Sequence, residues 1–206
     1  MNMLQRFLKG LALALSVFMA GGAALAQSTI GGDANLFISM GLVTQYLNGV
    51  SSENIVRAAS TRGSRVSGTV DLGGRVDELV QRSDGNNNLN RLELASITDS
   101  VVDGNVRSNV RVSSIIQRSF GNGNLNELML GSFSRSRFGG DVTANIRVGS
   151  ILQENQGIGN RNIARIGSVV NSSVGGATNI SVSVDSIQQS SFGQQNSNSL
   201  SIGSID

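Results

Sequence analysis

The sequence predicts an all-β fold, a five-rung parallel β-solenoid, on three observations. A 36-residue repeat runs without insertions, apolar residues recur at a period of two inside each repeat, and the chain contains no proline. Each observation excludes alternatives that the other two leave open.

The repeat carries most of the weight. Residues 151–168 read ILQENQGIGNRNIARIGS, and shifts of 36 find IIQRSFGNGNLNELMLGS from 115, IQQSSFGQQNSNSLSIGS from 187, LVQRSDGNNNLNRLELAS from 79 and a weaker VTQYLNGVSSENIVRAAS from 43. Five columns keep one residue type through all five copies. They are Gln45, Gln81, Gln117, Gln153 and Gln189; Gly49, Gly85, Gly121, Gly157 and Gly193; Asn54, Asn90, Asn126, Asn162 and Asn198; Ser60, Ser96, Ser132, Ser168 and Ser204; and Gly32, Gly68, Gly104, Gly140 and Gly176. A sixth, Ser52, Asn88, Asn124, Asn160 and Asn196, is nearly uniform. The repeats are bounded at 32–67, 68–103, 104–139, 140–175 and 176–206, after a short segment 27–31.

Inside a unit the period is that of a strand. Ile146, Val148, Ser150 and Leu152 alternate with Asn145, Arg147, Gly149 and Ile151, and Asn162, Ala164, Ile166 and Ser168 form the face of a second strand. Glycines at Gly157 and around Gly139 and Gly140 are expected to supply positive φ at turns. Each repeat therefore reads strand, turn, strand, turn, with room for a bend in the long strand. A unit this small cannot bury its own apolar face, so copies must stack. In-register stacking turns every Gln and Asn column into a ladder rising about 4.8 Å per rung, some 24 Å for five rungs. Small apolar columns such as Val56, Leu92, Leu128, Ala164 and Leu200 are expected in the interior. Proline cannot donate to a ladder, and a chain of this length would ordinarily carry about ten.

The start of the chain belongs to a different class of segment. Arg6 and Lys9 precede an apolar run and Ala24-Leu25-Ala26 supplies a small-x-small cleavage pattern, so 1–26 read as a signal peptide too short to span a bilayer. The expected location is the cell surface or medium, reached through the periplasm, with no integral membrane span after cleavage. Removing Arg6 and Lys9 from 16 basic residues leaves 14 against 14 acids, with the signs interspersed. Nucleic acid is therefore not expected as a partner.

Catalytic, cofactor and metal sites are expected to be absent: the chain has no His and no Cys. Gly157-x-Gly159-Asn160 lacks the helix a phosphate loop needs. No Asp column exists of the kind that binds calcium in secreted repeats, and the seven Thr share no column that would build an ice-binding face. Arg75, Arg111 and Arg147 do share one, stacking like charges that must face outward. That stripe reads first as a solvated guard against aggregation and second as a surface for anionic matrix polymers.

The Gln strand, the Gly-x-Gly-Asn turn and the Asn strand, seen in GIGNRNIARIGS and FGNGNLNELMLGS, resemble the repeats of bacterial functional amyloid subunits, curlin and the Fap subunits. The resemblance implies export across the outer membrane, secretion and nucleator proteins as partners, and self-assembly into cross-β surface fibres. The leading expectation is thus a structural subunit of biofilm matrix, adhesion or attachment fibres. The alternative is a monomeric β-solenoid adhesin or anchor binding a polysaccharide or another surface ligand, with an enzyme on a β-helix scaffold a distant third. Repeats abut both ends of the mature chain, leaving no room for the caps that close a monomeric solenoid, which favours polymerisation. The repeat from Gly176 to Asp206 lacks Arg and keeps only Asp185 and Asp206 as acids, so it is the expected polymerisation edge.

Overall fold

The computed structural model describes residues 28–206. The signal-peptide assignment lies outside the described residues. Among the described residues every regular element is a strand, and the strands stack into a β-solenoid of five parallel coils. No helix of the described residues is long and apolar enough to cross a membrane.

Each coil opens on a 15-residue strand: β2 (Ala34–Asn48), β6 (Val70–Asp84), β10 (Val106–Phe120), β14 (Val142–Gln156) and β18 (Thr178–Phe192). A glycine turn leads to a six-residue strand: β3 (Glu53–Ala58), β7 (Leu89–Leu94), β11 (Leu125–Leu130), β15 (Arg161–Ile166) and β19 (Ser197–Ile202). Two-residue strands close the coil. The first set is β4 (Thr61–Arg62), β8 (Ile97–Thr98), β12 (Phe133–Ser134) and β16 (Val169–Val170). The second is β5 (Arg65–Val66), β9 (Val101–Val102), β13 (Arg137–Phe138) and β17 (Ser173–Val174), joined by β1 (Thr29–Ile30) from the segment ahead of the first repeat. Every pairing is parallel and offset by one repeat, so Gln117 lies between Gln81 and Gln153 and Asn126 between Asn90 and Asn162.

The long strand lines two sides of the core because its alternation changes phase once. In β14, Val142, Ala144, Ile146 and Val148 face inward, then Ile151, Gln153 and Asn155 do. Between them Gly149 and Ser150 both face outward, and the register steps from Val112↔Val148 to Ser114↔Ser150. Two successive outward residues bend the strand without breaking it. This corrects the expected single face: Ser150 and Leu152 are on the outside and Ile151 on the inside. The second strand keeps its expected face, with Asn162, Ala164, Ile166 and Ser168 all buried.

The core of the middle coils is aliphatic, with Leu92, Leu128, Ile115 and Ile166 fully enclosed, and one aromatic pair, Phe133 and Phe138, meets edge to face at 5.5 Å. Outside it, charges of opposite sign alternate up the stack. Arg57 pairs with Glu93 at 3.0 Å, and Glu127 binds both Arg91 at 2.6 Å and Arg165 at 3.2 Å. Such cross-rung pairs favour this coil order, since a slip by one repeat would set Arg57 against Met129 and Arg91 against Ile163.

Glycine serves two different purposes. Gly121 has φ 117°, and a Cβ there would lie 2.1 Å from the Gly85 carbonyl oxygen of the neighbouring coil. Gly139 and Gly140, expected to supply positive φ, do not. A Cβ on Gly139 would instead sit 2.4 Å from the Asp103 carbonyl oxygen, so close stacking of backbones selects glycine there.

Candidate functional site

The residues singled out as ladders line one interior seam between the long and the six-residue strands. Gln81, Gln117 and Gln153 are fully buried, as are Asn90, Asn126 and Asn162. A buried amide without partners costs about 1–3 kcal/mol, and here each is bonded up, down and sideways. Gln117 Nε2 donates to Gln81 Oε1 at 2.8 Å and to the Glu127 carbonyl at 3.0 Å. Asn126 Nδ2 donates to Asn162 Oδ1 at 3.0 Å, to Asn155 Oδ1 at 2.9 Å and to the Glu154 carbonyl at 3.1 Å. The near-uniform Asn column ties the turns: Asn124 Nδ2 donates to the Gly85 carbonyl at 3.0 Å, and its own Oδ1 accepts from the Asn88 amide at 2.8 Å. In the glycine column, Gly85, Gly121, Gly157 and Gly193 all have positive φ, whereas Gly49 in the first coil does not.

The two ladders run in opposite directions. Gln81, Gln117, Gln153 and Gln189 each donate toward the N-terminal coil, to Gln45, Gln81, Gln117 and Gln153. Asn54, Asn90, Asn126 and Asn162 each donate toward the C-terminal coil, to Asn90, Asn126, Asn162 and Asn198. The ends are therefore unfinished in complementary ways. Among the described residues, Asn54 Oδ1 accepts no bond at the N-terminal end, and Gln45 Nε2 donates only to the Ile55 carbonyl at 3.4 Å. At the C-terminal end Gln189 Oε1 accepts none, and Asn198 Nδ2 donates only to the Gln189 carbonyl at 3.1 Å. What one end lacks the other offers.

Apolar groups repeat the message. Leu36 and Ile38 are exposed at the N-terminal end, and Leu200 and Ile202 at the C-terminal end, although their columns are buried in the middle coils. The arginines of the first coil do not guard its open edge. Arg57 and Arg62 reach toward Glu93, and Arg65 toward Asp103, all in the second coil.

Two further features were missed in the sequence. Ser64, Ser100, Ser136 and Ser172 form a corner column in which the hydroxyls of Ser100, Ser136 and Ser172 each accept the amide of the serine one coil earlier, as Ser136 Oγ does from Ser100 at 3.1 Å. Their spacing of 36 was present as a signal. The second is Asp99, whose carboxyl is held below the usual range by the bidentate bonds from Arg135, at 2.6 and 2.9 Å, which outweigh its partial burial.

No protein-family model, curated protein or solved structure matches this chain.

Proposed function

We propose that the chain is an exported structural subunit that assembles head to tail into cross-β fibres on the cell surface, serving biofilm matrix, adhesion or attachment. The observation that carries this reading is the complementarity of the unfinished ladder ends. Stacking the C-terminal coil of one copy on the N-terminal coil of the next would let Gln45 Nε2 reach Gln189 Oε1 and Asn198 Nδ2 reach Asn54 Oδ1. The same step would cover Leu200 and Ile202 with Val56 and Ala58 of the next copy, and its Leu36 and Ile38 with Ile180 and Val182. A head-to-tail contact of this kind does not close, so it propagates as a filament.

The reading makes the protein structural rather than catalytic, with its own copies as the principal partner. The likeness of its Gln and Asn repeats to curlin and Fap subunits supports the same role, with secretion and nucleator proteins as further partners. Incubating the purified chain with thioflavin T and recording fibre diffraction tests it. The expected result is a lag phase followed by fibres with a strong reflection near about 4.8 Å along the axis. A chain that stays monomeric at high concentration for days would overturn the proposal.

A further inference from the structure

The arginine stripe on the outer face of the long strands is a column of like charges that the fold leaves largely uncompensated. Arg75, Arg111 and Arg147 stack directly over one another in β6, β10 and β14. All three are exposed. Arg75 meets Asp77 at 3.3 Å, while Arg111 and Arg147 form no ion pair among the described residues. On the six-residue strands the outward columns interleave signs instead, as in Arg57 with Glu93 or Arg91 with Glu127. Stacked like charges repel, so a stripe of this kind needs a compensating partner outside the chain or a reason to do without one.

Protection against edge pairing is not that reason. The arginines occupy the three inner coils, and the two end coils carry Ser39 and Ser183 in the same column. Guarding charges belong on edge strands, and here the edge strands are the ones that lack them.

The surroundings say what would fit. The stripe borders an open groove of about 840 Å³, lined on its far side by Asn109, Asn145 and Ser181. On its other side the flanking column runs Asp77, Ser113, Gly149 and Asp185, so the acids sit at its two ends and Arg111 and Arg147 have neutral neighbours on their own rungs. The site thus offers a row of guanidinium forks at the rung spacing of about 4.8 Å, beside neutral amides and hydroxyls that bond hydroxyl groups. Guanidinium forks bind carboxylates in bidentate fashion. The spacing is close to the length of one extended sugar residue. A nucleic acid would want a series of aromatic platforms for its bases, and the ring on this groove, Phe37, lies at its N-terminal end, two rungs or more from Arg111 and Arg147.

We propose that this groove binds an acidic polysaccharide, a polymer of uronic-acid type, with its carboxylates on Arg111 and Arg147 and its hydroxyls on Asn109 and Asn145. The stripe is complete within one chain, so the site is independent of fibre formation, and a chain that never polymerises still tests it.

The test measures binding of polygalacturonate to the full chain by isothermal titration, with neutral dextran and single-stranded DNA as comparison probes. Polygalacturonate is expected to bind, weakening steeply with salt, and dextran to bind not at all. R111S/R147S is expected to lower the affinity at least tenfold with the circular dichroism spectrum unchanged, since serine already occupies this column in both end coils. R137S, which removes an exposed arginine on another side of the coil, should leave binding intact. R111K/R147K should retain part of the affinity if carboxylates are read by charge as well as by the fork. Equal binding by R111S/R147S and the parent chain overturns the site. Tighter binding of DNA than of polygalacturonate, or equal binding of dextran, overturns the ligand class.

Discussion

The middle coils and the end coils are built from the same columns and differ in having one neighbour or two. Leu128 is fully buried and Leu200, two repeats on, is 47% exposed. Gln117 gives one ladder bond and accepts another, while Gln189 gives one and accepts none among the described residues. The difference does not lie in the residues, which are equivalent. It lies in the missing coil, so an end coil is a middle coil waiting for a neighbour. Substitutions in the two regions should therefore report on different things: chain stability in the middle and assembly at the ends.

The largest contrast is expected in the asparagine ladder. Asn126→Leu removes the ladder bonds to Asn90, Ser119 and Asn162 and leaves the buried Asn155 Oδ1 without its donor; at about 1 kcal/mol per lost bond and about 1–3 kcal/mol for the orphaned oxygen it should cost about 3 kcal/mol or more in denaturant unfolding. Asn198→Leu should cost the chain far less and lengthen the thioflavin T lag instead. If the two variants unfold alike, the burial difference has no energetic meaning.

Glycine sharpens the comparison next. Gly121→Ala forces a side chain into φ 117° against the Gly85 carbonyl and should destabilise by about 1–3 kcal/mol from the backbone strain alone. Gly49→Ala, where the nearest atom would be Ser52 Oγ at 3.4 Å, should be close to neutral for the chain and slow its docking on a preceding copy.

The two ends can also be set against each other. Deleting residues 176–206 should lengthen the assembly lag far more than deleting 32–67, because the removed C-terminal coil has low charge and, among the described residues, no ion pairs to its neighbour, whereas the first coil is tied to the second through Arg57 and Arg65. Equal lags would leave the two faces equivalent as docking surfaces.

The smallest effect concerns pH. Asp99 has a depressed pKa, so its tie to Arg135 is at full strength above the ordinary carboxylate range near about 3.9 and is lost as the pH falls through the lower folded value. The pair is partly exposed, so Asp99→Asn should cost only about 0.5 kcal/mol at neutral pH and nothing in strong acid. Acid sensitivity that persists unchanged in Asp99→Asn would assign it to another carboxylate.

How much of this was legible follows from what a repeat can and cannot encode. The period and the identity of the ladder residues are visible because a buried Gln or Asn is tolerated only where its amide is bonded, and identical amides at a spacing of 36 bond one another when coils stack. The change of phase at Gly149 and Ser150 was not visible, because serine and leucine at 150 and 152 read equally well in either phase. The two-residue strands escaped for a related reason. They are too short to alternate, and their corners turn through positive φ at Ala95, Asp99 and Arg135 as well as at glycine. The direction of each ladder depends on how each amide is turned, which letters do not record.

The most direct test of head-to-tail stacking uses the absence of cysteine. Ser39 and Ser183 lie in the same exposed column, in the first and last coils. Within one chain they are four rungs apart, about 19 Å at the rung spacing, too far for a disulfide. In a continuous stack Ser183 of one copy lies directly against Ser39 of the next. Oxidising fibres of S39C/S183C should therefore give a ladder of covalent oligomers on a non-reducing gel, with S39C alone and S183C alone remaining monomeric. Efficient dimers from either single variant would mean that like ends meet, and uncrosslinked S39C/S183C fibres would mean that the coils do not stack in this register.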